Sequence, residues 1–337
     1  MKALISKVRK TNRSNRLIRK DDRILVGFSG GPDSTCLILL LLFLEKRIGF
    51  NFGAVHINYG ARKTAQRDEL FCRNFCKQKG IHLEVFRAAK RRAGIPARIL
   101  KIRNFEDRAR KIRYYIFDKL AKEQGFSKVA VAHNLNDQAE TVIFNFLRGS
   151  GLKGLGGMKY RRGIIIRPLL DAGREEIIKF LKKTRQTYVQ DETNNDLKFT
   201  RNRIRHELLG EIEEKYNRNI IQTLGRNSLL LRQAQSMLEK NAKQRLKKAI
   251  ISETDTQIII DWRKFKKAPS LVKSEAIRRV IAEYQGGLEN KSRDLIFKIV
   301  NFLDNPLKKG IFQEMVKLTL KKNGDKVSIN KHNKKDK

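Results

Sequence analysis

The segment Ser29-Gly30-Gly31-Pro32-Asp33-Ser34 joins an apolar run, residues 23 to 28 (RILVGF), to a second apolar stretch beginning at Pro32. A short buried strand that turns through two glycines straight into a helix is half of a strand–helix–strand unit. Pro32 suits the first helical position, where its missing N–H would have no partner anyway. The helix is expected from Pro32 to about Ile48. Apolar runs recur at Phe52 to Ile57, Ile81 to Phe86, Lys128 to Ala132 and Ile164 to Arg167. Between them, apolar residues at three- and four-residue steps predict helices over Thr64 to Lys79, Phe105 to Gln124, Asp137 to Leu147 and Arg174 to Lys183. Such alternation predicts an α/β fold: a Rossmann-like, mostly parallel five-stranded sheet with helices on both faces.

The loop also carries chemistry. A helix N-terminus after a glycine turn presents backbone N–H groups and a dipole that favour an anion. Gly30 and Gly31 allow close approach to phosphate oxygens, Ser29 and Ser34 add hydroxyl donors, and Asp33 offers a magnesium ligand. No lysine follows the glycines, so the loop is not the G-x-x-x-x-G-K-[ST] cradle and γ-phosphate transfer of that class is disfavoured. An ordinary turn capping a helix would use the same glycines; the strand before and the helix after favour nucleotide binding.

The 75 Lys and Arg against 35 Asp and Glu give a formal charge of +40, a field that attracts polyanions. Nucleic acid and an anionic membrane are the two candidates. The longest apolar run, Cys36 to Leu44, is nine residues, short of the roughly 18 to 20 a bilayer span requires, so no membrane partner is expected. Eight basic residues fall in the first twenty with no apolar core before Asp21 and Asp22, and no secretion signal is expected. Three cysteines fit a reducing, cytoplasmic compartment. With 40% hydrophobic residues and 18 Phe, the chain can bury a core. From about Leu208 the pattern shifts to Leu/Lys/Arg/Gln-rich segments, Ile220 to Ile250 and Ser270 to Tyr284, read as amphipathic helices. Ser252 to Thr256, Trp262 and Gly286-Gly287 punctuate them, and Lys331 to Lys337 reads as a frayed tail. Residues 1–212 are expected to form the catalytic domain and 213–337 a smaller, basic, mainly helical one.

S-G-G-P-D-S resembles the pyrophosphatase loop of N-type ATP pyrophosphatases, which share the adenine nucleotide alpha hydrolase-like fold. Four further blocks, in order, resemble those of the tRNA(Ile)-lysidine synthetases: His56 to Arg62 (HINYGAR), Arg108 to Tyr114 (RARKIRY), Ala132 to Thr141 (AHNLNDQAET) and Leu147 to Leu155 (LRGSGLKGL). A fifth, Thr200 to Leu208 (TRNRIRHEL), completes the set. The resemblance covers about residues 23 to 210. It implies a carbon–nitrogen ligase that uses ATP and Mg2+ to adenylate O2 of the wobble cytidine in an isoleucine tRNA with a CAU anticodon. Free L-lysine then displaces AMP at C2, giving lysidine and changing codon reading from AUG to AUA. The partners implied are that tRNA and lysine, with a homodimer admitted as the assembly. The chain is shorter than family members with a further C-terminal module. Two other readings are weighed: a tRNA thiolase on the same loop, disfavoured by the lack of paired cysteines, and a basic RNA-binding protein with a vestigial nucleotide site.

Within these blocks the resemblance implies catalytic roles for Asp33, Asp137 and Arg113, with Asp33 and Asp137 as metal ligands. It implies ATP contacts from Ser29, Gly30, Gly31, Pro32, Asp33, Ser34 and His56, and substrate contacts from Arg110, Arg148, Gly149, Arg201 and Arg205. Each has a plainer explanation. Asp137 and Glu140 could be dipole partners in a first helical turn, Gly149 could end a helix in the left-handed conformation, and the arginines, Arg62 among them, could line solvated faces. Arg201 and Arg205 share a helical face and Arg203 lies on another. The family usually has two histidines and two aspartates where this chain has His133-Asn134-Leu135-Asn136-Asp137. It also usually has a second histidine where this chain has Tyr59. Asn136 retains a carbonyl that could meet a cation, and His133 could equally be a satisfied strand-end histidine. Cys72 and Cys76, one turn apart beside Phe75, read as buried hydrophobes.

Overall fold

The computed structural model describes residues 2–60, 64–88, 94–190, 200–285, 293–312 and 318–331. The Gly286-Gly287 pair and nearly all of the tail fall outside them. The chain forms two compact units, 1–229 and 230–337.

In the first unit the elements run α1 (Lys2–Asn15), β1 (Arg23–Gly27), α2 (Pro32–Ile48), β2 (Asn51–Asn58), α3 (Ala65–Lys79), β3 (Leu83–Arg87), α4 (Ala97–Leu100), α5 (Phe105–Glu123) and β4 (Lys128–Ala130). They continue as α6 (Leu135–Leu147), α7 (Leu152–Leu155), β5 (Arg161–Arg162), β6 (Ile165–Ile166), α8 (Arg174–Lys183), α9 (Thr200–Arg203), a π-helical turn (Ile204–Leu208) and α10 (Leu209–Lys215). The sheet order is β3-β2-β1-β4-β6-β5, and every pairing is parallel except β5 with β6. The five expected strands are all present. The sixth, β5, is a two-residue edge strand folded back on β6, too short to leave a periodic signal. Along β1, Ile24 and Val26 enter one core with α2, α3 and α8, while Leu25 enters another with α5. Both faces are therefore buried, and β1 reads as a continuous apolar run rather than an alternating one.

The basic N-terminus is helical. Leu4 and Val8 are buried in the α2 core, Lys7 pairs with Glu176 at 2.6 Å, and the Thr11 hydroxyl donates to Asp171 at 2.5 Å. A second packing cluster joins Ala139 of α6 to Ile204, Leu209 and Ile221. It fixes the π turn against α6.

Helix α11 (Ile220–Ala249) runs from the first unit into the second. There follow β7 (Ile250–Glu253), β8 (Gln257–Asp261), a 3-10 turn (Trp262–Phe265), α12 (Ser270–Gln285), α13 (Arg293–Asp304), β9 (Gly310–Phe312), β10 (Leu318–Asn323) and β11 (Lys326–Lys331). Helices account for more of this unit's described residues than strands do. The sequence reading missed its five-stranded antiparallel sheet, β7-β8-β11-β10-β9. Strand β10 explains why: Leu318, Leu320 and Lys322 all face inward, and a lysine at the third buried position spoils the apolar alternation. Its ammonium donates to the Leu303 and Asn305 carbonyls at 2.8 and 2.6 Å, which caps the end of α13. No helix among the described residues is long and apolar enough to cross a membrane.

Candidate active site

The carboxyl ends of β1, β2 and β4 open into a cavity of about 860 Å3 within the first unit, where an open parallel sheet gathers its ligands. Its floor is the Gly-rich turn. Gly30 adopts φ +81°, and a Cβ there would stand 3.1 to 3.2 Å from Phe71, Cys72 and Val189, so only glycine fits. The Gly30 carbonyl accepts from Val189 N–H at 2.9 Å and the Thr35 hydroxyl at 3.1 Å. Ser29 and Ser34 hydroxyls lie 3.1 Å apart. Gly31 is the N-cap of α2 and offers no side chain to the first-turn amides, which leaves them for an anion.

Two carboxylates face this floor. Asp33 stands in the first turn of α2, and Asp137 in the first turn of α6. Asn134 connects them: its Nδ2 donates to Asp33 at 2.9 Å, its Oδ1 accepts from Asp137 N–H at 3.0 Å, and its own N–H donates to Asp137 at 3.0 Å. The departure at residue 134 thus forms a reciprocal helix cap and holds Asp33 as well. Burial and the neighbouring charge of Asp137 push Asp33 up to about 6, against the pull of Asn134 and the more distant Arg174 and Arg205. Asn136 is committed elsewhere. Its Oδ1 accepts from Arg174 N–H at 3.0 Å and caps α8, so the carbonyl suggested for a cation is already engaged.

Arg205 reaches from the π turn to Glu140 and, at 3.4 Å, to Asp137. Arg201 lines the same wall, while Arg203 turns outward to Glu207 at 3.5 Å. Arg110 and Arg113 of α5 also line the cavity. Tyr59 orients Arg113: its hydroxyl accepts from Arg113 Nε at 3.3 Å and donates to the Ala109 carbonyl at 3.2 Å. His133 also lines the cavity. Burial lowers it to about 4, and in that neutral form its Nδ1 accepts from Arg167 at 3.2 Å. His56 lies against the floor with Nδ1 3.0 Å from the Phe28 carbonyl, and burial lowers its pKa.

Of the residues singled out from sequence, Ser29, Gly31, Asp33, Ser34, His56, Arg110, Arg113, Asp137, Arg201 and Arg205 line one cavity. Gly30 and Pro32 shape the loop beneath it. Arg148 and Gly149 lie outside: Arg148 covers the Phe144 ring at 5.2 Å, and Gly149 at φ +70° closes α6. Arg62 lies outside the described residues. Sequence reasoning missed Glu69, a buried carboxylate held by Arg87, Arg73 at 2.9 Å and Asn58 at 3.0 Å. A lone glutamate in a charged helix gives no signal of burial. Cys36, Cys72 and Cys76 are free and buried. Burial pushes all three thiols up, Cys76 to about 11.

Residues 3–212 match the PP-loop domain family. The chain is 33% identical over 305 residues to the tRNA(Ile)-lysidine synthase of Caldanaerobacter subterraneus subsp. tengcongensis, covering 90% of this chain and 64% of that protein. It is equally similar to the enzyme of the same name from Clostridioides difficile, 33% over 305 residues, with 90% and 65% covered. Against that of Pseudothermotoga lettingae identity rises to 39% over 208 residues, 60% of this chain and 44% of the relative. The chain therefore spans 64% and 65% of the length of the first two relatives. Among solved structures, the U34-tRNA thiolase NcsA from Methanococcus maripaludis with its [4Fe-4S] cluster superposes with a TM-score of 0.57 at 23% identity. That match covers 68% of this chain and 79% of the thiolase, a likeness of fold.

Proposed function

Because the chain belongs to the PP-loop domain family, we propose that it ligates lysine, at the expense of ATP, onto C2 of the wobble cytidine of an isoleucine tRNA with a CAU anticodon. The observation that carries this reading is the paired carboxylates Asp33 and Asp137 beside a bare helix N-terminus, in a chain a third identical to two tRNA(Ile)-lysidine synthases. We assign catalysis to residues 1–212 and RNA backbone contact to 213–337.

In the first step cytidine O2 bonds to the α-phosphorus of ATP and the bond to the bridging oxygen breaks, releasing pyrophosphate. The Ser29–Ser34 loop and the first amides of α2 receive the charge that gathers on that leaving group. Asp33 and Asp137 would hold Mg2+, which neutralises phosphate charge when bound. The fit is supported by Asp33 itself, whose pKa is pushed up to about 6 by burial first and by the charge of Asp137 second, and a cation would relieve the latter. Among the described residues no group of three or more His, Cys, Asp or Glu surrounds a metal site. Phosphate oxygens and water would complete the shell, as magnesium prefers. Arg113 and Arg110 of α5 serve the α-phosphate and the nucleotide, and Arg201 and Arg205 serve the RNA. In the second step the lysine amine attacks C2, the C2–O2 bond breaks with AMP as leaving group, and the amine gives up its proton to solvent.

Sulfur delivery gains nothing from this site, since the three thiols are buried and held protonated. The three departures from the family pattern each have an engaged role, at Arg113, at Asp33 and at α8. The test is incubation with ATP, Mg2+, labelled lysine and isoleucine tRNA, with methionine tRNA alongside. Label in the isoleucine tRNA alone is expected. No label in either, beside an active relative, overturns the proposal.

A further inference from the structure

The active site leaves one sequence block unused. Phe146 and Leu147 are 65% and 61% exposed at the last turn of α6, followed by Arg148 and Gly149. The tip is firmly built. Gly149 N–H donates to the Phe146 carbonyl at 2.9 Å, Ser150 N–H to the Asn145 carbonyl at 3.0 Å, and Asn145 Nδ2 to the Gly154 carbonyl at 2.7 Å. Two large apolar side chains are therefore held in water on a rigid frame. The segment that carries them is one-signed in sequence: residues 141–163 hold Arg148, Lys153, Lys159, Arg161 and Arg162 and not one Asp or Glu. All five of these cations are exposed. Elsewhere in the same unit, helix-surface lysines meet carboxylates one turn away, as Lys111 does with Asp107 and Lys179 with Glu175.

We propose that this tip is a stacking platform for an unpaired base of the RNA substrate, with the Phe146 ring under the base and the flanking cations on its phosphates. The inference rests on the RNA reading of the preceding section and adds a surface to it. Proteins read single-stranded RNA by stacking splayed bases on aromatic rings, and a ring accepts any base because every base has a π-face. A segment with five exposed cations and no carboxylate of its own suits a polyanion better than the charge-poor centre of a protein interface. Helix α6 begins beside the cavity at Asn134 and spans about 20 Å over its 13 residues. The base on the platform is thus a different nucleotide from the one that enters the cavity.

The test uses the full chain and an RNA hairpin with CAU in its loop, beside a blunt duplex of the same stem sequence. Phe146→Ala should weaken hairpin binding about ten-fold at fixed salt and leave duplex binding and Mg–ATP affinity unchanged. Phe146→Trp should bind as the wild type does, and its indole emission, taken relative to wild type, should be quenched by hairpin and not by duplex. Equal hairpin affinity for Phe146→Ala, or an indole indifferent to hairpin, overturns the platform while leaving the RNA reading intact. If the wild type binds neither RNA, the RNA reading fails and the platform with it. If Phe146→Ala instead dissociates a dimer in sedimentation with RNA affinity unmoved, the tip belongs to a second copy and the proposal is overturned.

Discussion

Two buried carboxylate centres in the first unit stand in opposite electrostatic states. Glu69 accepts from Arg87, Arg73 and Asn58, and these partners, Arg87 foremost, hold its carboxyl down at about 2. Asp33 has one hydrogen bond from a neutral amide, faces Asp137, and stands at about 6. Burial opposes ionisation in both; the partners decide the outcome. The satisfied centre stabilises the fold, whereas the strained one costs the ligand-free protein stability.

The largest effect falls on the strained side. Asp33→Asn should reduce labelled-lysine incorporation by at least about a hundred-fold, the scale on which an electrostatic group at a transition state contributes. RNA affinity should stay within about two-fold, since phosphate contacts set it. Loss of RNA binding by a folded Asp33→Asn protein would place Asp33 in the wrong role.

The satisfied side should show in stability. Glu69→Gln should cost about 2 kcal/mol, less than the full effect of breaking a buried pair because Arg73 and Arg87 are half exposed and can be hydrated. The folded carboxyl lies below its ordinary 4.5, so its contribution is fully present above about pH 4.5 and disappears as pH falls towards 2. Denaturant melts of wild type and Glu69→Gln should therefore differ at pH 7 and converge in acid. A gap independent of pH would mean that the effect is packing rather than charge.

Asp33 carries the opposite sign. Its folded pKa lies above the ordinary 3.8, so it binds more protons folded than unfolded between about pH 4 and 6. The cost of holding it ionised is absent below pH 4, grows through that window and is complete above 6. Asp33→Asn should accordingly stabilise the ligand-free protein by up to about 3 kcal/mol at pH 7 and not at all at pH 4. Mg–ATP should raise the wild-type melting temperature at pH 7 and lose that effect below pH 6, while the variant shows little shift at either pH.

The same contrast explains what could be read from the sequence. The loop at Ser29 to Ser34 and the basic blocks were legible because backbone geometry and helical spacing confine them to a strand end or a helix face. Their convergence on one cavity followed from the parallel sheet. Arg148 and Gly149 belong to an equally recognisable block and yet stand outside, since a motif match does not tell which end of a helix faces the site. Glu69 and Lys322 were hidden because a charged residue inside a core breaks the pattern from which burial is inferred. Asn134, Asn136 and Tyr59 looked like losses against the family pattern; only their hydrogen bonds show what each residue does.

Tyr59 ties the satisfied centre to Arg113 on the cavity wall, and it gives the smallest predicted effect. Glu69 holds Asn58, whose Oδ1 accepts from Gly60 N–H at 2.9 Å and fixes the turn that aims Tyr59 at Arg113. Tyr59→Phe keeps the edge contact with Phe105, at 6.4 Å between ring centres, and removes only the hydroxyl. A hydrogen bond to a charged group contributes about 1.5–3 kcal/mol, and this one is long and exposed, so from the low end of that range kcat should fall about ten-fold while the KM for ATP and the melting temperature hold. A rise in KM with kcat preserved would show that Arg113 binds ATP equally in ground and transition states. If the turn transmits order from the satisfied centre to Arg113, Glu69→Gln should reproduce part of the Tyr59→Phe loss in kcat. The double variant should then lose less than the product of the two single effects.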